Sequence, residues 1–283
     1  MRHPFRILNV FTVGGARLSG NPLCVFEDAR TMTGEQMQAL ALQMNLSETT
    51  FLLPADDSQA TARVRIFTPA MELPFAGHPT LGSAFVTRDL TGATGMVRLQ
   101  MRAGTVAVSA KQDTWTFLAG PPTTRPLEAA RQGALIAALG LPLASLEGMP
   151  RWVSTGMEQL LVPLANTDAV DAATPNVGLS EFPNDLGKVG VYVFSPLAEA
   201  AMRVRFFFNK NAGAIAEDPA TGSACANLGA FALAVDVPLP LARVLSQGEH
   251  TGRPSRLLLA VDATGAISVS GEVIELGRGY IEL

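Results

Sequence analysis

An α+β fold built from two similar halves is the architecture this sequence predicts, on three observations. A segment occurs twice at a spacing of 140 residues: residues 63–84 and 203–224 share 9 of 22 positions without a gap. That spacing is half of the 283-residue length, and about 140 residues suits one compact domain. Each half then alternates short β-type runs with a few helical stretches, the pattern of largely antiparallel sheets carrying helices.

The elements follow in order. A strand over residues 7–13, a glycine-rich turn and a strand over 23–26 open the chain. Residues 33–45 predict a helix: Thr33 and Gln36 form a capping box, and Met37, Leu40, Ala41 and Met44 share a face. Strands are expected at 49–53 and 63–67, then a helix from Pro79 to about residue 88. Residues 97–101 and 106–109 alternate apolar with polar around Ala103 and Gly104, a hairpin signature, and 115–118 ends the half. The run G-P-P-T-T-R-P at 120–126 reads as a linker. It divides an N-terminal domain, 1–119, from a C-terminal domain, 127–283, whose last strand is able to return to the N-terminal one. The second half predicts a helix over 127–139 with Gly140 just past its end. Strands follow over 152–163, 189–194 and 202–208, and a helix runs from Pro219 to about 234. Strands over 256–262, 267–270 and 273–283 close the chain.

Composition removes several function classes. The net charge is −4 and no Lys/Arg cluster stands out, which argues against nucleic acid and anionic membranes as main partners. No apolar run reaches the roughly 18 residues of a membrane helix. The opening M-R-H-P-F-R-I-L-N-V-F-T-V is basic and then apolar, like a signal peptide. Its apolar part is short, alternates with polar residues and has no A-x-A site after it, so it reads as a first strand. Cys24 and Cys225 are too few for a disulfide scaffold and too isolated for zinc, which fits a reducing cytoplasm.

The repeat also points to chemistry. Residues 78–84 read H-P-T-L-G-S-A and residues 218–224 read D-P-A-T-G-S-A. Pro79 and Pro219 suit the first position of a helix, which makes His78 and Asp218 its caps. Ser83 and Ser223 offer hydroxyls beside helix-start N–H groups, which attract anions. Aspartate is a good cap and needs no further role, whereas histidine is a poor one. If the halves pack about a pseudo-twofold axis, both helix starts face one cleft that holds a carboxylate. Glu48, in N-L-S-E-T-T-F, lies where the first helix gives way to a strand; its partner at the 140-residue offset is Lys188. A carboxyl group in the wall of a partly apolar cleft has a raised pKa and can shuttle protons, although an exposed strand-start carboxylate is the simpler reading. Cys225 falls opposite Phe85 at that offset, so no symmetric thiol pair is expected. No nucleotide-binding, metalloprotease or Schiff-base signature is present, and a cofactor-free reaction is the expectation.

The segments G-N-P-L-C-V-F (20–26), N-L-S-E-T-T-F (45–51), F-A-G-H-P-T-L-G (75–82) and E-D-P-A-T-G-S-A (217–224) resemble the phenazine-biosynthesis PhzF-like family, and Q-G-x-x-x-G-R-P-S (247–255) is similar to its late motif. The resemblance implies a diaminopimelate-epimerase-like fold, two pseudo-symmetric domains each wrapping a sheet around a central helix, with the site between them. It implies a cofactor-independent isomerase resembling dihydro-hydroxyanthranilate isomerase. Glu48 would be the acid/base, and His78 and Asp218 would orient the substrate. Ser223, with the backbone at Gly77 and Gly222, would hold a substrate carboxylate. The partners implied are a small carboxylate-bearing metabolite and a second copy of the chain. Two alternatives stay open: a cofactor-free racemase or epimerase of an amino-acid-like substrate, and a non-catalytic metabolite-binding protein.

Overall fold

The computed structural model describes residues 1–210 and 214–283, so residues 211–213 of the second repeat lie outside the described residues. The chain divides into two compact units, Met1–Leu118 with Ser270–Leu283, and Ala119–Val269.

In the first unit, β1 (Arg2–Thr12) pairs with β2 (Asn21–Phe26), and β2 runs parallel to β3 (Glu48–Leu53). The crossover between β2 and β3 carries α1 (Gly34–Met44). Its capping box is present: the Gln36 N–H donates to Thr33 Oγ1 at 3.2 Å, and the Thr33 N–H to Gln36 Oε1 at 2.9 Å. Met37, Leu40 and Ala41 of α1 pack on Cys24, Phe26, Phe51 and Phe67 of the sheet. β3 is antiparallel to β4 (Ala62–Phe67), which carries the short β5 (Glu72–Leu73). The helix α2 (Gly77–Thr91) follows. The sheet continues through β6 (Val97–Met101), β7 (Gly104–Lys111) and β8 (Thr114–Leu118), with β6 parallel to β4. The last strand pairs with both β8 and β1, which closes the ring. α2 packs against β1, β2, β3, β4, β6, β7 and β8. Gly82 is what allows this approach: a Cβ there would lie 2.4 Å from Leu23 Cδ2 and 3.2 Å from Leu8 Cδ1.

The second unit repeats the same pairings. β9 (Thr123–Pro126) pairs with β10 (Arg151–Ser154), so part of the segment expected to link the halves is a strand. The helix α3 (Ala129–Ala138) ends at Leu139, with Gly140 beyond it at φ +69°. β10 turns back into β11 (Gln159–Pro163), so the single strand expected over 152–163 is a hairpin. Gly156, at φ +145°, lies in its turn. The crossover from β11 to its parallel neighbour β12 (Gly190–Phe194) holds α4 (Thr167–Ala172), as α1 lies between β2 and β3. β13 (Ala201–Asn209) and the short β14 (Ile215–Asp218) precede α5 (Gly222–Ala234). β15 (Leu241–Gln247) runs parallel to β13 and antiparallel to β16 (Ser255–Val261). Residues 267–270 and 273–283, read as separate strands, form one long strand, β17 (Ile267–Glu282).

A duplicated cassette sets the register of the repeat. Arg65 grips Glu72 with Nε–Oε1 2.7 Å and Nη2–Oε2 2.9 Å and lies over the Phe67 ring. Arg205 grips Glu217 at 3.1 and 2.8 Å and lies over Phe207. The cross-strand pairs Phe67–Glu72 and Phe207–Glu217 correspond, yet four residues separate the first pair and nine the second. Beyond these hairpins the offset is therefore 145: E-L-P-F-A-G at 72–77 matches E-D-P-A-T-G at 217–222.

Candidate active site

The helix starts differ from the sequence expectation. α2 begins at Gly77 with Ala76 as its cap, and α5 begins at Gly222 with Thr221 as its cap. His78 is thus the second residue of α2, and Pro79 follows it within the first turn, where a missing N–H is tolerated. Asp218 and Pro219 precede α5 altogether. The cause is the longer second hairpin, which pairs His78 with Ser223, Leu73 with Asp218 and Thr80 with Cys225. Neither cap residue makes a side-chain hydrogen bond to its own helix.

The first unit brings Glu48 and His78 together. Glu48 is the first residue of β3, opposite Leu23 of β2, and His78 Nε2 lies 3.4 Å from Glu48 Oε2. This is not an ion pair. Burial drives the His78 pKa down to about 3, against a partial offset from a hydrogen bond to the Pro22 carbonyl. Among the described residues Nε2 has no hydrogen-bond partner, so Nδ1–H is the group that donates to Pro22. The ring is then neutral, and the Nε2 lone pair faces the carboxyl group. That lone pair is placed to accept a hydrogen bond from the carboxyl group whenever the carboxyl carries a proton. The structural counterpart of Glu48 is Gly190, because Thr49 pairs with Phe67 as Val191 pairs with Phe207. The Lys188 correspondence is corrected accordingly.

In the second unit a relay holds Asp218. Gln247, fully buried in β15, donates from Nε2 to the Asp218 carbonyl at 2.9 Å and to Thr221 Oγ1 at 3.0 Å. Its Oε1 accepts the Thr221 N–H at 3.3 Å. With its lone pair so occupied, Thr221 directs its hydroxyl proton to Asp218 Oδ2 at 2.6 Å. Gly248, at φ +88°, lets the loop close here: a Cβ would meet Pro219 O at 2.5 Å and Arg253 O at 2.3 Å. Ser223 Oγ accepts from Gln159 Nε2 at 3.0 Å, and Asn227 donates to Gln159 Oε1 at 2.8 Å. Gln159 and Asn227 went unnoticed in the sequence, and Thr221 lay in a quoted motif without a role assigned to it. Gln247 lay in the quoted late motif, but its buried amide role has no sequence signal of its own.

Both thiols are inert. Burial pushes Cys24 up to about 12 and Cys225 further still. Among the described residues no group of three or more His, Cys, Asp or Glu is placed to hold a metal ion, and no helix is long and apolar enough to cross a membrane.

The whole sequence has relatives among isomerases, and the protein is one. An uncharacterised isomerase of Pasteurella multocida is 36% identical over 281 residues, covering 99% of this chain and 94% of its own. The trans-2,3-dihydro-3-hydroxyanthranilate isomerase of Pseudomonas aeruginosa is 35% identical over 297 residues, covering 99% and 100%. The solved structure of a predicted epimerase from Pseudomonas aeruginosa superposes with a TM-score of 0.85 at 32% identity, covering 99% of both chains. The chain matches the phenazine biosynthesis-like protein family over residues 8–278 and belongs to it.

Proposed function

We propose that this isomerase works without a cofactor, moving a proton between two carbons of a small carboxylate-bearing substrate of the trans-2,3-dihydro-3-hydroxyanthranilate type. The carrying observation is the 3.4 Å approach of Glu48 to a neutral, buried His78. Glu48 takes the proton from one ring carbon as the double bonds shift, then returns it to another; it ends as it began, with no net redox change. His78 keeps Glu48 oriented and accepts its proton as a hydrogen bond. Asp218, fixed by Thr221, and Ser223, fixed by Gln159, orient the substrate. The N–H groups at Gly77 and Gly222 hold the carboxylate. In this reading the fold is the diaminopimelate-epimerase-like one, a pair of pseudo-symmetric units with α2 and α5 as central helices, and the working form is a homodimer. A two-base racemisation is disfavoured because Gly190 stands where a second Glu48 would be.

Glu48→Gln keeps the shape and removes the shuttle. Turnover of trans-2,3-dihydro-3-hydroxyanthranilate should fall about 10²–10⁴-fold with substrate affinity retained. Full activity in this variant would remove Glu48 from the mechanism. Sedimentation at micromolar concentration reads the dimer, and a monomer there rejects it.

A further inference from the structure

Tyr192, in the middle of β12, is fully buried, and its hydroxyl has no hydrogen-bond partner among the described residues. Leaving such a group unmet is costly, so its position calls for an acceptor. Strand register supplies one. Tyr192 pairs with Phe206, and Phe206 pairs with Asp218, so the three form one row across β12, β13 and β14 with side chains on one face. The Tyr192 and Phe206 rings lie 6.3 Å apart. Two strand spacings put the Tyr192 and Asp218 backbones about 10 Å apart, a gap that a tyrosine and an aspartate side chain can narrow to the width of one water. The corresponding position in the first unit is Thr50, whose hydroxyl is already bonded to Ser83 at 3.0 Å. The second unit alone carries a longer, unmet hydroxyl there.

The surrounding charges favour donation. Burial first, then Cys225 on α5 and Asp218 itself, holds the phenol pKa well above its ordinary value, so Tyr192 keeps its proton. Glu217 alternates onto the other face of β14 and is gripped by Arg205. Arg253 comes from the loop that Gly248 lets close on Pro219. We propose that Tyr192 is a positioning residue for Asp218: its hydroxyl donates to the Asp218 carboxylate across one bridging water, and with Thr221 fixes the rotamer and charge of that group. This rests on the reading of Asp218 as a substrate-orienting residue.

Tyr192→Phe removes only the hydroxyl. Carbon-13 NMR of aspartate-labelled full-length protein, with the Asp218 signal assigned by its loss in Asp218→Asn, should show the Asp218 titration moving up by about one pH unit in Tyr192→Phe. With trans-2,3-dihydro-3-hydroxyanthranilate, kcat/KM should fall about tenfold with its acid limb moved upward. Asp218→Asn combined with Tyr192→Phe should be no slower than Asp218→Asn alone. An Asp218 titration unchanged by Tyr192→Phe overturns the proposal whatever the activity. If the wild type fails to turn over this substrate, the functional reading fails, while the titration still decides Tyr192. Thr221→Val gives a second measurement: adding Tyr192→Phe to it should raise the Asp218 titration further, and no additional rise rejects the contact.

Discussion

Gln247→Met is the perturbation that best tests how the second unit presents Asp218. Methionine has nearly the same length and volume, so the cavity contribution is small. Three hydrogen bonds disappear: Nε2 to the Asp218 carbonyl, Nε2 to Thr221 Oγ1, and the Thr221 N–H to Oε1. Gln247 is fully buried and Thr221 nearly so, so water replaces little of what is lost. The longest of the three, at 3.3 Å, is the weakest. At about 1 kcal/mol for each bond, with more where a buried backbone group is left unmet, the loss is about 2–4 kcal/mol. For a unit spanning Ala119–Val269, each kcal/mol shifts Tm by about 2–4 °C, so a drop of about 4–16 °C is expected by calorimetry. Thr221 would then be free to turn its hydroxyl proton away from Asp218, and kcat/KM should fall beyond what the lost stability explains at 25 °C. A Tm within 1 °C of wild type, together with unchanged kcat/KM, would refute the relay.

Two further outcomes follow from the first unit. The His78 pKa in the folded chain, about 3, lies below its ordinary value of 6.5. The unfolded chain therefore binds the extra proton first, and stability present above pH 6.5 is lost as pH falls toward 3, by at most about 1.4 kcal/mol per pH unit. Urea unfolding at pH 7, 5 and 4 should show His78→Gln without this decline; a stability gap between the two proteins that ignores pH would sink the assignment. Gly82→Ala puts a methyl 2.4 Å from Leu23 Cδ2 and within 3.3 Å of Val10 Cγ2 and Leu8 Cδ1, all fully buried. Overpacking should cost about 1–3 kcal/mol in denaturant midpoint, and wild-type stability would show that α2 does not need this approach.

Much of the fold was legible because local signals agreed with it. The Thr33 and Gln36 capping box, Gly140 past α3, and the hairpin at Gly104, which has φ +124°, each followed from residue chemistry and appear as read. The site was legible in its members but not in its register. G-S-A at 82–84 and 222–224 drew the two copies together at 140 residues, and the proline in H-P and D-P strengthened that match. An ungapped comparison cannot see five residues inserted in a hairpin loop. The Arg–Phe–Glu cassettes can, because a bidentate grip across paired strands fixes which residues correspond.

The corrected register changes what the duplication says about chemistry. At the start of the strand after the parallel crossover, Glu48 stands against Gly190. At the end of the short hairpin strand, Leu73 stands against Asp218, and at the second helical position His78 stands against Ser223. In each of these three places one unit carries an ionisable group and the other carries none. A Cβ on Gly190 would lie 3.1 Å from Phe206 Cζ and 3.4 Å from Gln159 Cγ, so the second unit fills the Glu48 position with packed side chains. Gln159 instead supports Ser223, as Pro22 supports His78 from the equivalent strand. The units share a backbone frame but divide its polar groups, with Glu48 and His78 on the first and Asp218 and Ser223 on the second. At the three positions compared, a carboxyl group at the start of the strand after the crossover occurs in one unit alone, which supports the proposed single shuttling base over a symmetric two-base mechanism.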